Sequence, residues 1–145
     1  MAKTLKRRDF LKVACITAAA ATVSQAYDQK LIVNTKDMKL KDPNNPNKAE
    51  LKHSPEISIG KKDEKGFSLI EVNVGQQGII HPSSANHWIY EIELYADGKK
   101  IAKVDLEPEI SRGYLSSRVN VSKIKKLSAV AKCNLHGNYS SSISV

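Results

Sequence analysis

The sequence predicts an all-β, immunoglobulin-like antiparallel sandwich. Five short runs rich in β-branched and aromatic residues recur at even spacing, an Asp97-Gly98 pair sits between two of them, and helical periodicity is absent beyond the first 26 residues. A chain of 145 residues with 41% hydrophobic and 26% charged residues has room for one modest core.

Residues 1–26 read as an export signal rather than as part of the fold. Basic residues lead into Arg7-Arg8-Asp9-Phe10-Leu11-Lys12, an apolar run from Val13 to Val23 follows, and Ser24-Gln25-Ala26 offers small residues for cleavage. This pattern is that of a twin-arginine signal, which carries folded proteins to the periplasm. The apolar run is about half the roughly 20 residues needed to span a bilayer, so no stable membrane anchor is expected. Residues 27–48 read as an extension or linker, because Asn34 to Lys48 is lysine-rich and Asp42-Pro43-Asn44-Asn45-Pro46-Asn47 carries turn chemistry without periodicity.

The domain proper is placed at residues 49–145, with strands expected at Phe67 to Val74, Trp88 to Tyr95, Lys99 to Leu106, Tyr114 to Val121 and Leu127 to Cys133. In the second run, alternation sets Trp88, Tyr90, Ile92 and Leu94 on one face and Glu91 and Glu93 on the other. Asp97-Gly98 then turns it into a strand whose Ala102, Val104 and Leu106 close the same core. Pro55, Pro82 and Pro108 fall where strands begin or end.

Half of the formal net charge of +8 resides in the first 26 residues, and the rest is scattered among acidic groups with few aromatics. No basic, aromatic-studded stripe exists to bind nucleic acid; a small anion suits the charge better. Of the two cysteines, Cys15 lies in the signal, so the mature chain keeps Cys133 alone and cannot form an internal disulfide.

The chemistry lies in the four histidines and that cysteine. They stand at Lys52-His53-Ser54-Pro55, His81-Pro82-x4-His87-Trp88 and Cys133-Asn134-Leu135-His136-Gly137, all beside expected strand ends or loops. Imidazole and thiolate are ligands that transition metals favour, and one end of a sandwich can gather all five. Singly each has an ordinary explanation, a solvated loop histidine or a buried thiol; together they describe one metal site.

The segments His81 to Tyr95 and Cys133-Asn-Leu-His136-Gly-Asn-Tyr139 resemble the two signature segments of the superoxide reductases, the neelaredoxin and desulfoferrodoxin family, and Lys52-His53-x-Pro55 resembles the first. The similarity covers roughly residues 48 to 139. It implies one Fe(II)/Fe(III) ion with His53, His81, His87 and His136 as equatorial ligands and Cys133 as the axial one, opposite an open position for superoxide. An anionic sulfur pushes electron density onto the metal. By resemblance Lys52 attracts the substrate anion and positions a proton-donating water, and the backbone N–H groups near Asn134 and Gly137 approach the sulfur. A small redox protein would be the electron donor, and a homo-oligomer is implied as well.

The chain departs from its relatives before the first ligand. The family's Glu-Lys-His becomes Glu50-Leu51-Lys52-His53, which moves the carboxylate of Glu50 one residue away from its usual place as a ligand to the oxidised metal. One mature cysteine cannot build the four-cysteine second centre of some members, so a single-iron type is expected. Two other classes stay open: a cupredoxin-like electron-transfer protein, which leaves two histidines without a role and finds no methionine after Cys133, and a carrier presenting Cys133 as a mobile thiol ahead of Ser140 to Ser142.

Overall fold

The computed structural model describes residues 27–145, so the export-signal reading of residues 1–26, with Arg7, Arg8 and Cys15, lies outside the described residues. The fold is all-β, in two antiparallel sheets. One sheet joins β1 (Pro55–Ile59), β2 (Phe67–Val74) and β5 (Tyr114–Asn120) in the order β1-β2-β5. The other joins β3 (Ile89–Ala96), β4 (Lys99–Asp105), β6 (Lys126–Cys133) and β7 (Gly137–Ser144) in the order β4-β3-β6-β7.

Period-two patterning builds the core between the sheets. Ser68, Ile70, Val72 and Val74 of β2 face inward, as do Leu127, Ala129, Ala131 and Cys133 of β6. The expected hairpin closes β3 on β4, with Asp97 and Gly98 at φ 47° and 83°, and Ala102, Val104 and Leu106 pack against or within the core. Cys133 therefore lies on the core-facing row of β6, at that strand's last position.

Three local departures from the sequence reading matter. A bulge between Ile89 and Glu91 in the β3–β6 pairing gives Ile89 to the core and removes Trp88 and Tyr90 from the Ile92–Leu94 face. Trp88 and Tyr90 pack instead against the ring of Tyr27, with centroids 5.7 and 5.6 Å away. A helix, α1 (Lys48–His53), also exists where none was expected, held by a reciprocal capping box between Asn47 and Glu50. Finally, β1 and β7 were not read as strands. β7 is half serine, with Gly137 its one buried residue, and it becomes a strand through its register with β6, from Lys126↔Ser144 to Cys133↔Gly137.

The segment before α1 is largely exposed, yet it is tied to the domain. Asp37 bridges Asn138 in parallel, and the amide groups of Val33, Asn34 and Met38 donate to carbonyls of Asn134 and Asn138. Among the described residues, no helix is long and apolar enough to cross a membrane.

Candidate metal centre

Register brings the three motif segments to one end of the sandwich. Pro55 pairs with Val74, so the start of β1 adjoins the end of β2; Ile89 and Gly137 both pair with Cys133, so β3 and β7 start where β6 ends. His53 closes α1 just before β1, His81 and His87 flank the loop entering β3, and His136 lies in the turn between β6 and β7.

The four imidazoles form a ring. Centroids of neighbouring pairs are 4.7 Å apart for His53–His81, His81–His87 and His53–His136, and 4.8 Å for His87–His136, with planes 71° to 79° apart. The His53–His87 diagonal is 6.0 Å. Ligand atoms of His53, His81, His87 and Cys133 all lie within 4.8 Å of one another. Nδ1 of His136 adjoins three of these four: 3.0 Å from Nε2 of His53, 3.2 Å from Nε2 of His87 and 3.6 Å from Sγ of Cys133.

The ring nitrogens are oriented for a metal. His53 Nδ1 donates to the carbonyl of Ala49 at 2.6 Å and His81 Nδ1 to that of Pro82 at 2.7 Å, which leaves both Nε2 lone pairs facing the centre. Nε2 of His81 is buried with no hydrogen-bond partner, an orphan that a cation would satisfy. Two nitrogens each about 2.1 Å from one ion at a right angle stand about 3.0 Å apart, which matches the 3.0 and 3.2 Å spacings of His136 to its neighbours. The donor set therefore fits one transition-metal ion.

Electrostatics agree with that fit. Burial, first of all, pushes His53 down to about 4 and His81 to about 3, and it lowers His87 as well, so these rings are neutral ligands at ordinary pH. Burial raises the Cys133 thiol, against hydrogen bonds from the backbone N–H groups of Leu135 and His136; a bound cation would be what holds it as thiolate. The sulfur is fully buried, which excludes the mobile carrier thiol.

Lys52 and Glu50 part company. The positive charge of Lys52 adds, after burial and the neighbouring rings, to what lowers His53, His81 and His87. The structure does not bring Glu50 into the cluster. Its two carboxylate oxygens accept from the amides of Lys41 at 2.8 Å and Asn47 at 2.9 Å, and these bonds hold its pKa below the usual carboxylate range. Glu50 is instead the N3 partner of Asn47 in the capping box of the helix that ends in His53.

Two further residues complete the site, Asn134 and a tyrosine to which the sequence assigned no role. Tyr139 stacks on His53 with centroids 5.0 Å apart and planes at 25°. Backbone N–H groups next to Asn134, those of Leu135 and His136, approach the sulfur; Asn134 gives its own N–H to the carbonyl of Trp88, while its Oδ1 accepts from the N–H of Trp88 and its Nδ2 donates to the carbonyls of Asn86 and Leu31.

This all-β scaffold with a His4Cys cluster at one end defines a mononuclear metal-binding sandwich. Residues 45–142 match the family described as Desulfoferrodoxin, and the chain belongs to that family. A desulfoferrodoxin of Desulfarculus baarsii is 33% identical over 110 residues, 76% of this chain and 77% of the relative. Among solved structures, a superoxide reductase from Nanoarchaeum equitans superposes with TM-score 0.56 at 27% identity, covering 65% of this chain and 93% of that one. A single-iron superoxide reductase from Giardia intestinalis gives TM-score 0.54 at 27% identity over 65% and 98%.

Proposed function

We propose that this protein is a superoxide reductase, which delivers one electron from an external donor to superoxide and, with two protons, releases hydrogen peroxide. The observation that carries the reading is the gathering of every histidine of the chain and Cys133 into one cluster, a ring of imidazoles beside a buried sulfur. His53, His81 and His87 would hold a single iron through Nε2, His136 through Nδ1 and Cys133 through Sγ. The bound ion would supply the ferrous–ferric couple.

The chain's own groups do the rest. The α1 carbonyl of Ala49 and the loop carbonyl of Pro82 lock two rings in the tautomer that presents Nε2, and the stacked face of Tyr139 keeps His53 from tilting. The N–H groups of Leu135 and His136 stabilise negative charge on the sulfur. Lys52 puts a positive potential beside the imidazoles, where it draws in an anion and holds the water that supplies a proton.

We further propose export to the periplasm by the twin-arginine route, a small redox protein as donor, and a homo-oligomeric state. Metal analysis with optical spectra of wild type and Cys133→Ser tests the central reading. One iron per chain and a visible thiolate-to-ferric band, absent from the serine variant, support it; copper, zinc or a freely reactive thiol refutes it. Lys52→Ala should slow reaction with superoxide about tenfold and weaken its salt dependence, while Lys52→Arg keeps both.

A further inference from the structure

We infer that the strap Leu31–Met38 tunes the sulfur of Cys133, because its Val33 and Asn34 amides bind the carbonyl of the Asn134–Leu135 peptide whose N–H faces that sulfur. This rests on the reading of Cys133 as the thiolate ligand.

The strap lies before residue 45, where the match to the family begins. It nevertheless runs along the turn that carries Cys133 and His136. Val33 N–H donates to the Asn134 carbonyl at 2.9 Å and Asn34 N–H to the same oxygen at 3.2 Å. Further on, Asn138 N–H donates to Lys36 O and Met38 N–H to Asn138 O, both at 2.8 Å, while Nδ2 of Asn138 reaches Thr35 O and Oδ1 of Asp37, both at 3.0 Å. Contact is close enough that a Cβ at Gly137, which has φ 88°, would lie 2.5 Å from Lys36 O.

A peptide group is one rigid plane, and none in the described chain is cis, so the C=O and N–H of the Asn134–Leu135 peptide point in opposite directions. Donors on the carbonyl side orient that plane, so that its N–H aims at Cys133, and polarise it, which strengthens the N–H···S bond. The side chain of Asn134, 1% exposed, ties the same segment to Trp88 and Asn86 and, through the carbonyl of Leu31, to the strap itself. A firmer N–H bond draws charge from sulfur. The strap therefore raises the reduction potential of the site and shifts the thiolate-to-iron band to higher energy.

Val33→Pro deletes one of the two donors at a residue whose side chain is 70% exposed, so no buried surface is lost; Val33→Ala keeps the amide as the control. In the iron-loaded full chain, Val33→Pro is expected to move the ferric thiolate band to longer wavelength and to lower the reduction potential, with Val33→Ala at wild-type values. Asn138→Ala, which cuts only the side-chain ties to Thr35 and Asp37, should shift both in the same direction by less. Loss of stability alone moves neither quantity. A wild-type band that stays in place in both Val33→Pro and Asn138→Ala overturns the strap's role and leaves the proposed function standing. A wild type with no thiolate band overturns both.

Discussion

Gly75→Ala tests how the fold aims His81. Gly75 has φ 116°, and a Cβ there would lie 1.7 Å from the carbonyl oxygen of Ile79 and 2.8 Å from its carbon. Those are backbone atoms, so no rotamer relieves the clash. The loop they belong to is pinned: Gly75 N–H donates to Ser54 O at 3.0 Å, Gln76 N–H to Leu51 O at 3.0 Å, and His81 N–H to Val74 O at 3.2 Å. The backbone conformation alone costs an alanine about 2 kcal/mol. Displacing the loop breaks at least one of the hydrogen bonds, about 1 kcal/mol more, so a loss of about 3 kcal/mol is expected. Gly78→Ala is the matched control, with φ 77° in the same loop and open space around it, and should cost about 1 kcal/mol. Urea denaturation of both metal-free variants measures the difference, and iron retention against a chelator reads the aim of His81. Equal costs for the two variants, or full iron retention in Gly75→Ala, would refute the reasoning.

Three further outcomes are expected of the same fold. Ser68 presents a buried hydroxyl without a partner to the core, so Ser68→Ala should raise stability by about 1 kcal/mol, read as a higher denaturant midpoint. With His53 held at about 4 and His81 at about 3, the unfolded chain takes up protons near 6.5 that the folded metal-free protein refuses. Metal-free stability should therefore be full above pH 6.5 and fall as pH drops toward 5, before carboxylates titrate, and His81→Gln should flatten that slope. Glu50→Ala should speed iron loss by loosening the cap of α1 while leaving the ferric thiolate band where it is; a moved band would make Glu50 a ligand rather than a cap.

The sandwich was legible because alternation is local. Phe67–Val74 and Tyr114–Asn120 carry their inward rows in the sequence, and the Asp97-Gly98 turn announces itself. The ligand residues were legible for a different reason: imidazole and thiolate have few uses at such spacings. α1 escaped because six residues are too few for helical periodicity, although Asn47-x-x-Glu50 carried the signature of its capping box. The same signature would have assigned Glu50 to the helix rather than to the metal.

What only the tertiary structure decided is how backbone meets backbone. Pairing Ile89 with Cys133 goes with the bulge that turns Trp88 and Tyr90 away from the Ile92–Leu94 face and against Tyr27. Serine-rich β7 is a strand because β6 offers it an edge, and the strap is an arm of the site because Val33 and Asn34 find the Asn134 carbonyl. Side-chain chemistry differs from residue to residue and so can be read along the chain. Main-chain N–H and C=O groups are nearly identical at every position, and only the folded geometry determines which of them meet.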